Sequence, residues 1–187
     1  MPTATEMEKP FMLSVEIPKG TEAKFADTML TVKGKMGEVS RRIDHPSLRV
    51  AVKDGEIQVS VNKRRKNPMK LAYTYRAHIR NIVRGVNEGH EYLLKICASH
   101  FPMNVSIQKS QFIVKNFLGE KYPRTLTIKE GVEVKIEGDI IRVNSVDLEK
   151  AGMTASAIEE LMKRPDFDPR IFQDGIYITS KDGKEIR

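Results

Sequence analysis

Apolar and polar residues alternate in short runs along most of the chain, and at two places the spacing changes to that of a helix. Alternation with period two marks half-buried strands, and Gly, Pro and Asp clusters between runs mark turns. In the first half, strands are predicted over 14–17, 23–25, 29–32, 38–43, 48–52 and 56–61. Pro18-Lys19-Gly20, the stretch from Gly34 to Gly37, and Asp54-Gly55 separate them. Asp54-Gly55 between alternating runs predicts a type I′ hairpin, because glycine accepts the positive φ. In the second half, strands are predicted over 93–100, 104–108, 112–116, 124–128, 133–137 and 140–144.

Helical spacing first appears over 68–86. There Ala72, Tyr75, Ile79, Ile82, Val83 and Val86 fall on one face. Pro68 suits an early helical position, and Gly85 or Gly89 supplies a stop. A second, shorter helix is predicted over 154–163, with Ile158, Leu161 and Met162 as its stripe. Ser156 with Glu159 reads as a capping box, Thr154 competes as the cap, and Pro165 ends the helix.

The order of elements occurs twice. Val32-Lys33-Gly34-Lys35-Met36-Gly37-Glu38 recurs as Val114-Lys115-Asn116-Phe117-Leu118-Gly119-Glu120. Val15-Glu16-Ile17 matches Val105-Ser106-Ile107, Gly55-Glu56-Ile57 matches Gly138-Asp139-Ile140, and Ile79, Ile82 and Val83 match Ile158, Leu161 and Met162. Four matches in one order indicate an internal duplication. A helix with one apolar stripe buries it on a sheet with one apolar face. The fold class is therefore α+β: two similar domains, each a small, mainly antiparallel sheet with one packed helix. The expected domains are 1–89 and 90–187, with the boundary near Gly89-His90-Glu91.

Composition narrows the function. A chain of 187 residues with 40% apolar and 30% charged residues can build its own core. One cysteine, Cys97, forms no internal disulfide, so a reduced compartment is expected. The first fifteen residues do not read as a signal peptide, and no run is long and apolar enough for a membrane helix. The net charge of +7 lies wholly in residues 1–90, which hold 17 Lys and Arg against 10 Asp and Glu, so a polyanionic partner is favoured.

Enzyme motifs are missing: there is no P-loop, G-x-G-x-x-G, G-x-S-x-G or H-E-x-x-H. His45, His78, His90 and His100 are scattered, so no metal site or cofactor is expected. His78 reads as a solvated or partly packed residue, and Cys97 as a core thiol rather than a nucleophile. The basic residues form a pattern instead. Lys63, Arg64, Arg65, Lys66, Lys70, Arg76, Arg80 and Arg84 run from Asn62 to Asn87 without an Asp or Glu. Arg76, Arg80 and Arg84 stand four apart, in one helical stripe. A phosphate backbone would relieve their mutual repulsion, although a solvated face of a basic protein shows the same run. The second half offers turns carrying rings and isolated cations: Ser99-His100-Phe101-Pro102, Asn116 to Lys121 followed by Arg124, and Asp174-Gly175-Ile176-Tyr177 followed by Lys181. Such groups suit shape-based contact with folded RNA. Phe101, Phe117 and Tyr177 fit that role and the role of core anchors equally.

Those strings resemble a known family. Val32-Lys33-Gly34 with Gly37, Ile82-Val83-Arg84-Gly85-Val86, Ala98 to Val105, Val114 to Tyr122, and Asp174-Gly175-Ile176-Tyr177 are similar to large-subunit ribosomal protein six. This is the universal family in its archaeal and eukaryotic branch, called nine in eukaryotes. The resemblance implies a structural, non-enzymatic constituent of the large ribosomal subunit, in the cytoplasm. It implies binding of large-subunit ribosomal RNA near the sarcin–ricin loop, with neighbouring ribosomal proteins around it and translation factors nearby, and neither a membrane nor a small-molecule substrate. RNA-binding candidates carried over from the family are Ser99, His100, Pro102, Asn116, Lys121, Arg124, Gly175, Tyr177 and Lys181. Lys63, Arg64, Arg65, Lys66, Arg76, Arg80 and Arg84 then become a secondary RNA or protein contact. The competing reading is a duplicated interaction module whose basic helix grips an acidic partner. Charge points to the first domain and the resemblance to the second; the primary site is assigned to the second, because positioned loops decide docking. The acidic first ten residues depart from the family and receive no role.

Overall fold

The computed structural model describes residues 11–53, 55–61, 66–99, 101–168 and 170–186. Asp54, the basic residues Lys63, Arg64 and Arg65, and His100 lie outside them. The chain divides into two compact units, one up to Gly89 and one from His90.

Unit 1 contains β1 (Phe11–Glu16), β2 (Glu22–Ala26), β3 (Met29–Lys33), β4 (Glu38–Arg42), β5 (Leu48–Lys53), β6 (Glu56–Val61) and helix α1 (Lys66–Glu88). The strands form two antiparallel sheets, ordered β1-β6-β5 and β2-β3-β4, where the sequence suggested one. Val15, Ile57, Val59 and Val61 are buried against the α1 stripe of Ala72, Ile79, Ile82, Val83 and Val86. Each such side chain contributes about 1.5–3 kcal/mol on leaving water. The helix exceeds its predicted bounds at both ends. It runs through Gly85 and stops at Gly89, whose φ is +79°. Gly34 must be bare: a Cβ there would stand 2.5 Å from the Val86 carbonyl oxygen. The Met36 amide donates to that same oxygen at 2.9 Å, so the turn after β3 grips the end of α1.

Unit 2 repeats the plan and extends it. It contains β7 (His90–Cys97), β8 (Asn104–Gln108), β9 (Gln111–Lys115), a 3-10 turn (Phe117–Gly119), β10 (Arg124–Thr127), β11 (Val132–Glu137), β12 (Ile140–Ser145), helix α2 (Leu148–Leu161), β13 (Gly175–Lys181) and β14 (Lys184–Glu185). Its sheets are ordered β10-β9-β8 and β11-β12-β7-β13-β14. Leu94, Phe112, Val114, Phe117, Ile141, Val143, Ala155, Ile158 and Ile176 fill the core.

Three sequence expectations change here. Helix α2 begins six residues before the predicted start, because its cap is Asp147, whose carboxylate accepts the Glu149 amide at 2.9 Å. Thr154 and Ser156 are interior positions. Gly152 disguised the first turns as a break, yet it is helical, and a Cβ there would approach the Tyr92 hydroxyl to 3.0 Å. The Val105 match to Val15 is also displaced. Val15 pairs with Ile57 and Val105 with Val114, so β8 corresponds to β2, and β1 corresponds to β7. The third change is β13, read from sequence as a terminal loop segment; it is a strand paired along β7.

Candidate nucleic-acid interface

Three segments of unit 2 converge at the end of β7 near Cys97. The first leaves β7 through Ala98, Ser99 and Pro102. The second is the turn between β9 and β10. The third runs from the end of α2 to the start of β13. Each is tied to another by a named bond. The buried Asp174 carboxylate accepts the Ser99 amide, joining the first segment to the third. Asn116 donates from Nδ2 to the Pro102 carbonyl at 3.1 Å, joining the second to the first.

The turn between β9 and β10 is bent by three departures from ordinary backbone within four residues. Asn116 has φ 61°, Leu118 has φ 46° and Gly119 has φ +74°. Asparagine and glycine tolerate that region; leucine does not, and such strain persists only where surroundings enforce it. The enforcement comes from Phe117, which is fully buried and pins the turn to the core. Lys121 and Tyr122 are left on the outside, Tyr122 at 86% exposure.

Arg124 locks the same turn from beneath. Its guanidinium donates to both Glu120 carboxylate oxygens, at 2.8 and 2.7 Å. It also donates to the Leu161 and Lys163 carbonyls at the end of α2, at 2.5 and 3.4 Å. Its carbon centre lies 4.5 Å from the Phe117 ring centroid. A planar cation suits this arrangement, since it satisfies a carboxylate and helix-end carbonyls together. Hydrogen bonding to Arg124 holds the Glu120 carboxyl below its ordinary range; burial opposes that shift, and the charges of Arg124 and Arg164 reinforce it.

Beside this turn lies a groove of about 630 Å³, lined by Phe117, Leu118, Arg164, Phe167, Phe172 and Tyr177 among others. The Phe167 and Phe172 rings meet edge to face at 4.7 Å, and the Arg164 guanidinium sits 4.2 Å above Phe167. Tyr177 lies over Gly175, where a Cβ would come within 3.1 Å of its ring, and its hydroxyl donates to the Gln173 carbonyl at 3.2 Å. Burial, with the nearby Cys97, Asp174 and Glu159, pushes the Tyr177 phenol upward.

The candidate residues therefore separate. Ser99, Pro102, Asn116, Lys121, Arg124, Gly175 and Tyr177 belong to one cluster. Arg124 is engaged internally and acts as its brace. Lys181 lies six residues along β13 from Gly175, about 20 Å away at strand rise, and pairs with Tyr92 at the opposite end of β7. Of the three aromatic residues left open by sequence, Phe117 is core, whereas Phe101 and Tyr177 are 49% and 41% exposed. Cys97 is half-buried at the strand end rather than in the core. Tyr122, Arg164, Phe167 and Phe172 were missed; Tyr122 was signalled by its place beside Lys121, while the stretch after Pro165 shows no period.

In unit 1, Lys66, Arg76, Arg80 and Arg84 are exposed along α1, with Tyr73 among them. Arg84 faces Glu88 at 3.9 Å; among the described residues, Arg76 and Arg80 have no ion-pair partner.

The family model described as ribosomal protein L6 matches residues 17–89 and again 101–175, once in each unit. The chain belongs to the ribosomal protein L6 family. A large ribosomal subunit protein uL6 from Methanosarcina mazei is 38% identical over 94% of this chain and 99% of its own. Those of Haloarcula marismortui and Methanococcus vannielii are 38% and 39% identical, over 90% and 92% of this chain and 95% and 94% of theirs. Membership in the L6 family carries a structural, non-enzymatic role in the large ribosomal subunit.

Proposed function

We propose that unit 2 anchors this chain to large-subunit ribosomal RNA, near the sarcin–ricin loop and beside the docking site of translation factors, with other ribosomal proteins as neighbours. The supporting observation is the convergence of the family strings. Ser99, Pro102, Asn116, Lys121, Gly175 and Tyr177 are distant in sequence and belong to three segments bonded to one another at one end of one sheet. The turn offers a cation and an exposed ring at its tip, and the groove beside it offers aromatic faces with Arg164 above one of them. Cations neutralise phosphates, and rings receive unstacked bases or riboses. His100 is proposed with this set from its place in the family string, and Lys181 as a separate phosphate contact on the far end of β13. Exposed Lys66, Arg76, Arg80 and Arg84, with Lys63, Arg64 and Arg65, form the secondary contact, to RNA or protein.

Two measurements test this. Affinity for large-subunit RNA falls steeply with salt if phosphate contacts dominate; a flat response refutes the mechanism. Lys121→Ala with Tyr122→Ala reduces incorporation into large subunits more than Arg76→Ala with Arg80→Ala. The reverse ranking moves the primary site to unit 1.

A further inference from the structure

We infer that the outer edge of β1, together with the basic face of α1, receives an extended acidic strand from a partner protein. The duplication itself supplies the argument. The Ile17 amide donates to the Gly55 carbonyl at 2.9 Å, and the Ile96 amide donates to the Asp139 carbonyl at 2.8 Å. These equivalent bonds superpose β1 on β7 and β6 on β12. In unit 2 the other edge of β7 is covered by β13; among the described residues, the corresponding sheet of unit 1 ends at β1. Since Val15 and Leu13 sit in the same alternation as Ile17, their backbone groups face β6. The N–H and C=O groups of Met12, Ser14 and Glu16 consequently point the other way, as those of Glu91, Leu93 and Lys95 do on β7. There the Glu91 carbonyl accepts the Asp182 amide at 2.8 Å, and the Leu93 carbonyl accepts the Thr179 hydroxyl at 3.1 Å. An open edge of this kind is a template for strand addition. Pro18 stands where Cys97 stands in unit 2 and has no N–H, so it limits the receiving edge to 12–16.

The helix beside the edge identifies the partner. At the constant sequence spacing of the repeat, Ala72, Ile79 and Val83 of α1 match Ala151, Ile158 and Met162 of α2, and all six are buried. Arg76 and Arg80 therefore occupy the places of Ala155 and Glu159. In unit 2 those places are closed: Ala155 is fully buried, and the Glu159 carboxylate accepts the Ile178 amide of β13 at 3.1 Å. In unit 1 the same places are exposed and cationic, and Tyr73, Arg76, Ala77 and Arg80 line a hollow of about 190 Å³. A strand seated here meets two guanidiniums on its helix side and Glu16 on its other side. Its complement carries acidic residues at alternate positions and neutral ones between.

The test uses the full chain and a synthetic octapeptide of alternating Glu and Thr, with a Lys-for-Glu counterpart and decauridylate as comparisons. At millimolar peptide, the Glu–Thr sequence slows hydrogen exchange at the Met12, Ser14 and Glu16 amides by about tenfold or more, and the Lys–Thr sequence does not. Ser14→Pro removes one outward donor while sparing the bonds to β6, and it abolishes the protection. Arg76→Glu with Arg80→Glu, both exposed, reverses the preference between the peptides. Unchanged exchange with the Glu–Thr peptide overturns the inference. Decauridylate binding to α1 where this peptide fails also overturns it, and makes the face a nucleic-acid contact.

Discussion

Replacing Arg124 with Ala removes, in one step, the bonds that hold the β9–β10 turn to the end of α2. Three of the contacts are charge-assisted and short: two to Glu120 and one to the Leu161 carbonyl, at 2.8, 2.7 and 2.5 Å. Bonds to charged groups contribute about 1.5–3 kcal/mol each when deleted singly, and the Phe117 face adds about 0.5–1 kcal/mol. The sum overstates the effect, because the donors share one side chain. Two further facts lower it. Arg124 and Glu120 retain 21% and 26% side-chain exposure, so solvent screens the pair. Arg164 stands 3.5 Å from Glu120 and keeps the carboxylate from being orphaned. A loss of about 2–3 kcal/mol is expected for Arg124→Ala, below the roughly 3–5 kcal/mol of a fully buried broken pair. Arg124→Lys keeps the charge but not the fork, and recovers less than half. The assay is urea denaturation of the whole chain, followed by amide exchange so that unit 2 is read apart from unit 1. A pH arm checks the cause. Glu120 is held below its ordinary value of 4.5 in the folded chain. Its contribution is therefore complete above the unfolded value and disappears as pH falls through the folded one. Arg124→Ala flattens that acid slope. A loss under about 0.5 kcal/mol, or an unchanged slope, would refute the bracing role.

Gly34→Ala pushes a methyl into the Val86 carbonyl and costs about 1–3 kcal/mol in unit 1, with faster exchange at the end of α1; unaltered exchange there would contradict the close approach. The buried Thr154 hydroxyl has no hydrogen-bond partner among the described residues, so Thr154→Val raises the denaturation midpoint of unit 2 by about 0.5–1.5 kcal/mol equivalent. Lys121→Ala lowers the slope of log affinity for ribosomal RNA against log salt by about 0.7–0.9, whereas a purely structural lysine leaves it unchanged. The Tyr177 phenol ionises above its ordinary 10.0, so its contribution falls as pH rises past the unfolded value; Tyr177→Phe removes that loss in alkaline titration.

Much of this fold is written in short-range pattern. Strands such as β3, β6 and β12 alternate cleanly because one face is buried, as at Leu30 and Val32 or Ile57 and Val59. The α1 stripe is legible for the same reason. The misreadings have local causes. Gly152 hides the first turns of α2, because its tolerance depends on Tyr92, a residue distant in sequence. Strand β13 carries Gly, Thr and Ser around two isoleucines, and only pairing with β7 makes those residues a strand. At the RNA surface, the strings identify the segments but not the division of labour within them. That Arg124 faces inward while Lys121 faces outward depends on the left-handed turn at Asn116 and Leu118, which no periodicity reveals.

The two units explain why net charge and family strings point to different halves of the chain. Both start from one scaffold, and they differ at the same place, the outer edge of the strand on which the helix packs. Unit 2 covers that edge with β13, and small or bonded residues, Ala155 and Glu159, replace cations on its helix. Covering the edge also brings Gly175 and Tyr177 beside the β9–β10 turn, where they complete the groove. Its 15 Lys and Arg are balanced by 15 Asp and Glu, and those at the site are placed: Arg124 braces, Arg164 covers a ring, and Lys121 stands exposed in the turn. Among the described residues unit 1 has no covering strand, so the Arg76 and Arg80 positions of its helix remain exposed and without an ion-pair partner. Charge accumulates where a surface has not been closed by the chain itself, and fixed geometry accumulates where it has. A net charge of zero in residues 91–187 is thus compatible with a polyanion-binding surface, since positioned donors and rings do there what bulk charge would do less selectively.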